Sequence, residues 1–350
     1  MSCRKEILSV LLRQGTGQPV FAAYSFLLPR GRVERELRNR GWGLLHFEQV
    51  YRTEIRNVEI WVREEFKEGK KWIQRHFRTP FGELREKIVV DSVYGSQWIK
   101  EFPIKGLRDY EKMAFIVENT FYLPCYESFE RVEREVDEDG VILSNVERSP
   151  FQKMLVELAG PERLFVDLFE SPTIVENFVT VLAEKQRELY RIVASGPGLF
   201  VHVWDNVTED YASPFFFGKY CLPFYQEIGS LLHEHGKLFV VHMDGKLKNL
   251  RGLIAETPVD VVESFSLPEA GGNLSIEDAQ VGWSDKAIIV NFPAFLCLKE
   301  KEFVEDYLGK LLSRIDRKRV MVCVSEDLPR GSSAETLLLV SSLFQTQILS

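Results

Sequence analysis

Residues 238–245, LFVVHMDG, form an apolar run that breaks into a histidine and an aspartate two residues apart. Residues i and i+2 of a strand share a face, so His242 and Asp244 are expected to point the same way. The run ahead of them, 238–241, is short, carries two valines and does not alternate with polar residues. That is the pattern of a strand buried on both faces, as in a parallel sheet. Polar side chains at the C-terminal end of such a strand are where an α/β barrel or a doubly wound sheet keeps its chemistry.

The same pattern recurs. Residues 199–203 lead to Asp205 and Asn206, 259–262 to Glu263, 288–290 to Asn291, and 320–324 to Glu326. Segments of helical period separate these runs, at 213–235, 247–256, 275–283, 300–315 and 333–349. The arrangement is β-α repeated toward the C-terminus, and it predicts an α/β fold. Taken singly, a polar residue after a strand is an ordinary loop residue; five such ends in one series argue for a shared mouth. Asp205 and His242 are the candidate catalytic residues, with Asn206, Glu263 and Asn291 as candidate substrate contacts. His202, inside its strand, reads as a core histidine.

Upstream, 4–13 has the pattern of a short amphipathic helix and 19–26 of a first strand, whose Tyr24 is a further candidate pocket residue. Arg30, Arg32 and Arg35 follow it. Arginines in this setting are usually solvated helix residues, and Arg30 is kept as a candidate substrate contact. From 57 to 93 the period changes to two, with VEIWVREEF, a turn at EGKK, then WIQRHFRTP and ELREKIVVD. This predicts an antiparallel excursion of two or three strands with one solvated face. Helices are expected at 107–119, 128–137, 150–159 and 172–194, with a strand ending at Asn145.

The length of 350 residues accommodates one barrel of roughly 250 residues with about 100 to spare, so 1–350 is expected to form a single domain. Net charge is −8, with both signs interspersed, and no basic stripe invites nucleic acid. No run approaches the roughly 20 apolar residues of a membrane span, and the N-terminal apolar segment is too short and interrupted for a signal peptide. A cytoplasmic protein without a membrane or nucleic-acid partner is the expectation. The five cysteines are scattered without CxxC spacing, which reads as free buried thiols. The odd offset of Cys323 from Glu326 places it on the helix-facing side of its strand.

Four stretches carry a resemblance to a known family: RTPFGELREK (78–87), EFPIKGLRDYEKM (101–113), ERLFVDLFESPTIVENFV (162–179), and the region 200–250 from FVHVWDN through HGKLFVVHMDG. In order and spacing they resemble the uroporphyrinogen decarboxylase superfamily, which includes porphyrinogen decarboxylases and methyltransferases that act with corrinoid proteins. The resemblance implies a distorted (β/α)8 TIM barrel with its site at the C-terminal mouth. In the methyltransferase branch an H-x-C pair and a later cysteine bind zinc. Here His242 is kept, Asp244 stands at the first cysteine position, and Glu326 falls at the second. The ligand set implied is His242, Asp244 and Glu326, suited to zinc, manganese or ferrous iron; a metal-free polar cluster of the same residues is the rival. A small-molecule acceptor, a methyl-corrinoid co-substrate on a corrinoid protein, and an oligomer go with this branch. The decarboxylase branch, a carboxy-lyase acting on a carboxylated substrate, is the alternative. Its arginine-rich loop is missing apart from Arg30 or Arg32, and Glu326 would repel an acidic porphyrinogen.

Overall fold

The computed structural model describes residues 2–28, 30–91, 95–329, 331 and 333–348, with the backbone alone for 344–348. The chain divides into two compact units: one formed by Met1–Gln49, Tyr126–Val146 and Pro197–Ser350, the other by Val50–Cys125 and Glu147–Gly196. The strands, in chain order, are β1 (Phe21–Tyr24), β2 (Gly43–Glu48), β3 (Tyr51–Ile55), β4 (Glu59–Lys67) and β5 (Lys70–Thr79). They continue with β6 (Gly82–Val90), β7 (Gln97–Glu101), β8 (Thr120–Pro124), β9 (Gly140–Val146) and β10 (Phe200–Val203). The last four are β11 (Leu238–His242), β12 (Val261–Phe265), β13 (Ala287–Asn291) and β14 (Val320–Val324).

The first unit is a closed barrel of eight parallel strands in the order β1-β14-β13-β12-β11-β10-β9-β2. The expected TIM-barrel class is therefore present. Alternation along each strand sends one set of side chains inward: Ala22, Leu45, Leu143, Phe200, Val240, Val261, Ile289 and Cys323 belong to one buried apolar cluster. The helix Cys3–Leu11 adds Ile7, Val10 and Leu11 to that cluster. Moving two residues along from Phe200, Val240 and Val261 reaches His202, His242 and Glu263, so the polar residues form the next layer of the same interior.

Cys323 is a correction. It packs in the barrel interior, not against the helices. The parity counted back from Glu326 fails because β14 ends at Val324, and alternation holds only within a strand. Close packing also fixes a glycine: a Cβ on Gly140, at the start of β9, would meet the Leu44 carbonyl oxygen and come within 2.7 Å of Leu44 Cβ.

The second unit holds a four-stranded antiparallel sheet, β4-β5-β6-β7, and the antiparallel pair β3-β8. The expected excursion at 57–93 is real but longer, because β7 adds a fourth strand beyond it; Val93 itself lies outside the described residues. β2, GLLHFE, is a barrel strand the sequence reading did not delimit. The expected helices occur with small shifts, at Asp109–Glu118, Glu127–Val136, Pro172–Ser195 and Lys301–Arg314. The segment 213–235 is interrupted by a wider turn at Phe217–Cys221. The final helix runs Ser333–Ile348, and the expected end at Leu349 lies outside the described residues. No helix among the described residues is long and apolar enough to cross a membrane.

Candidate metal centre at the barrel mouth

Three adjacent strands, β10, β11 and β12, bring His202, His242 and Glu263 together. One donor atom from each lies within 4.8 Å of the others, and among the described residues this is the group of that kind. His202 and Glu263 are fully buried and His242 is 5% exposed. His242 Nδ1 lies 2.7 Å from Glu263 Oε2, and His202 Nε2 lies 3.3 Å from the same oxygen. The Tyr24 hydroxyl donates to Glu263 Oε1 at 2.7 Å.

The backbone around these residues is specialised. In β12 the pairing register shifts between Val262 and Phe265, and Ser264 has a left-handed φ of 62°. Such a bulge re-aims side chains. Glu263 reaches the histidines while Ser264, the next residue, bonds Ser325 Oγ at 2.8 Å. Ser325 in turn donates to Asn291 Oδ1. Across the mouth, Asn206 has a φ of 48°, a conformation asparagine tolerates, and its amide donates to Asp244 Oδ2 at 3.1 Å. The turn after β11 is pressed onto this loop. The Gly245 amide donates to the Val207 carbonyl, and a Cβ at Gly245 would sit 2.6 Å from that oxygen.

His242 is held on both sides, with its Nε2 3.4 Å from Asp244 Oδ2. Asp205, the other candidate catalytic residue, is buried and accepts from the Tyr225 hydroxyl. Burial works against the imidazolium, but the Glu263 charge and the hydrogen bonds that the ring donates to Asp244 and Glu263 outweigh it, raising His242 to about 10. Burial also works against the Glu263 carboxylate, and the charge of His242 with the hydrogen bond from His202 brings it to about 2. Asp244 is lowered, against burial, by its contact with His242. Burial and the Glu263 charge push the Tyr24 hydroxyl well up.

Aromatic rings pack around the imidazoles. Ring centroids lie 4.9 Å apart for Phe47 and His202, 4.5 Å for His202 and Trp204, and 5.4 Å for Trp204 and His242. Tyr24 stands edge-on to Phe47 at 4.7 Å. These contacts limit ring rotation and keep water from the charged atoms.

Of the residues singled out from sequence, the structure gathers Tyr24, His242, Asp244, Asn206 and Glu263. Glu326 accepts from the Ala294 amide at 3.4 Å, and burial, with the charge of Asp244 adding to it, raises its carboxyl. Neither Asp244 nor Glu326 belongs to the three-donor group. Arg30 is solvated and pairs with Glu34 at 3.0 Å. His202, read as a core histidine, is instead a member of the group. Its signal is positional: it lies two residues beyond the inward Phe200, as His242 does beyond Val240.

The group suits a divalent ion. Two imidazoles and one carboxylate are a known donor set for catalytic zinc and non-haem iron, leaving a further position open. Bonds of about 2.1 Å in a tetrahedron place donors about 3.4 Å apart. The His202–Glu263 separation of 3.3 Å already meets this, and the His242–Glu263 contact of 2.7 Å has to widen. Asp244 on the far nitrogen of His242 supplies the outer support that metal-bound imidazoles use.

No protein-family model matches the sequence, and no curated protein matches it. Among solved structures, the chain is similar to a methyltransferase from Methanosarcina mazei, with TM-score 0.53 and 12% identity, over 72% of this chain and 73% of that one. A structure of the pneumococcal virulence factor StrH aligns at TM-score 0.37 and 10% identity, over 98% of this chain and 84% of that one. The first likeness shows the barrel fold; the second carries no argument.

Proposed function

We infer that the chain is a metal-assisted methyltransferase acting on a small molecule, with His202, His242 and Glu263 as the metal ligands. The observation that carries this is the convergence of three buried donor atoms from neighbouring strand ends at the barrel mouth. Bound there, a divalent ion, zinc before manganese or iron, supplies a Lewis acid that lowers the pKa of a thiol or hydroxyl acceptor. Asp244 accepts a hydrogen bond from the Nε2–H of His242, which would leave the Nδ1 lone pair free to hold an ion. Tyr24 donates to Glu263 Oε1 and leaves Oε2 for ligation. Asp244 is the most solvated acid of the cluster, its side chain 39% exposed, and takes the acceptor's proton on Oδ1, with Asn206 and His242 fixing the carboxylate through Oδ2. Phe47 and Trp204 keep water from the reacting atoms. The donor in this scheme is a methyl-corrinoid carried by a partner protein, a class that rests on the resemblance across 200–250.

Zinc-loaded protein mixed with methylcobalamin and a panel of thiols tests the scheme by the absorbance change on cobalamin demethylation. Thiol-dependent demethylation that disappears in Glu263→Gln is expected. Protein that holds zinc yet demethylates nothing would reject methyl transfer and keep the metal site.

A second reading rests on the hydrogen-bond distance between His242 Nδ1 and Glu263 Oε2. There the cluster holds a proton on His242 between Glu263 and Asp244, acid and base groups act on the substrate without a metal, and the enzyme is a carboxy-lyase. Turnover that survives exhaustive chelation would favour it.

A further inference from the structure

The turn after β1 carries a hydroxyl that the metal centre does not use. The Leu27 amide donates to the Tyr24 carbonyl at 2.9 Å, closing a tight turn with Ser25 and Phe26 at its centre. The Ser25 amide donates to the Leu45 carbonyl at 3.0 Å, which seats this turn against β2. Ser25 thus leaves the C-terminal end of a barrel strand on a sharp bend, the end where such barrels present catalytic side chains. In β2, Leu45 belongs to the interior cluster, so His46 and Glu48 share the opposite face.

The three side chains form a chain of polar contacts. Ser25 Oγ lies 2.8 Å from His46 Nδ1, and His46 Nε2 lies 3.7 Å from Glu48 Oε2. The other Glu48 oxygen accepts from Ser128 Oγ at 2.6 Å, close to the start of the helix Glu127–Val136. With the Nε2 proton turned to Glu48, Nδ1 offers its lone pair to the Ser25 hydroxyl. That is the order of nucleophile, base and orienting acid used in covalent catalysis. A contact of 3.7 Å is of the looser kind that free enzymes show before substrate tightens it.

Two neighbours complete the arrangement. The Phe26 amide donates to no group among the described residues, and the amide after a nucleophile is a usual donor to the oxyanion. The group is open to solvent, with the side chains of His46 and Glu48 29% and 25% exposed. The Phe26 ring beside it is 60% exposed and offers apolar surface to a short acyl chain.

We propose that Ser25, His46 and Glu48 form a second reactive centre, separate from the metal group, which hydrolyses carboxylic esters of small apolar acyl groups. Ser25 Oγ bonds to the carbonyl carbon while its proton passes to His46 Nδ1; the bond to the alcohol oxygen breaks, and the alcohol leaves with that proton. Water then adds to the acyl-serine and gives a proton to His46, which returns it to Ser25 Oγ as the acid departs. Glu48 is a positioning residue. No metal takes part, so the fate of this centre is independent of the methyl-transfer scheme.

A fluorophosphonate, which phosphonylates an activated serine with loss of fluoride, tests this in the full chain, with the labelled residue located by peptide mass spectrometry. A single label on Ser25 is expected in native protein and none after urea denaturation. His46→Gln should slow labelling about 100- to 10,000-fold, the usual share of a general base, with near-ultraviolet circular dichroism unchanged. Glu48→Gln should also slow it, with Ser25 still the labelled residue. p-Nitrophenyl acetate should be hydrolysed by the wild type and not by Ser25→Ala. Native protein that takes no label, takes it on Ser128 instead, or labels Ser25 as fast in His46→Gln would overturn the proposal and leave a hydrogen-bonded tie between the turn and β2. Ester hydrolysis unchanged in Ser25→Ala would overturn it equally.

Discussion

Glu263→Gln in metal-free protein removes the carboxylate that Tyr24, His202 and His242 share. In the wild type His242 is raised from 6.5 to about 10 and Glu263 is lowered from 4.5 to about 2. Because the folded value of His242 lies above its ordinary one, its contribution is complete below pH 6.5 and is lost as pH rises toward 10. The folded value of Glu263 lies below its ordinary one, so its share is present above 4.5 and is lost as pH falls toward 2. Between 6.5 and 10 the wild type gives up about 1.4 kcal/mol per pH unit through this pair. Breaking a buried pair by removing one partner costs about 3–5 kcal/mol. Urea unfolding of chelator-treated protein, followed by tryptophan fluorescence, should therefore show Glu263→Gln destabilised by about 3–5 kcal/mol at pH 6.5. At pH 9 the difference should shrink by roughly half or more, because the wild type has lost most of the same interaction. A difference of equal size at both pH values would refute the assignment of the charge to His242 and Glu263.

Asp244→Asn keeps the shape of the support for His242 but not its charge. Zinc affinity, measured by competition with a chromophoric chelator, should fall about 10- to 100-fold, and a change under about twofold would remove Asp244 from this role. Gly245→Ala drives a methyl group toward the Val207 carbonyl oxygen and should destabilise the fold by more than about 2 kcal/mol in thermal or urea unfolding. It should also weaken zinc binding, since the same turn carries His242 and Asp244.

The barrel was legible because parallel strands buried on both faces leave short, uninterrupted apolar runs. FVHV, LFVVH, AIIVN and VMVCV all have this form. β2 escaped because GLLHFE ends in polar and half-buried residues and follows an arginine-rich helix. The antiparallel excursion announced itself through period-two alternation, but β3 and β8 did not: they pair Tyr51 with Pro124, across a separation that no local pattern encodes. At the site, His242 and Glu263 could be found as polar strand ends. His202 could not be separated from a core histidine, because only the barrel's interior layering puts it level with the other two. The bulge at Ser264 depends on register with β13, which the sequence of β12 does not contain. Asp244 and Glu326 were grouped with His242 by resemblance; Asp244 does lie beside His242, while Glu326 accepts from the Ala294 amide, and neither belongs to the three-donor group.

The ligand set is tested most directly by zinc content together with zinc X-ray absorption on wild-type protein and His202→Ala. The account predicts one zinc per chain, bound by two imidazoles and one carboxylate oxygen, with loss of an imidazole and most of the occupancy in the variant. Wild-type protein that stays metal-free through reconstitution with zinc, manganese and ferrous iron, or zinc whose imidazole count is unchanged by His202→Ala, would contradict it.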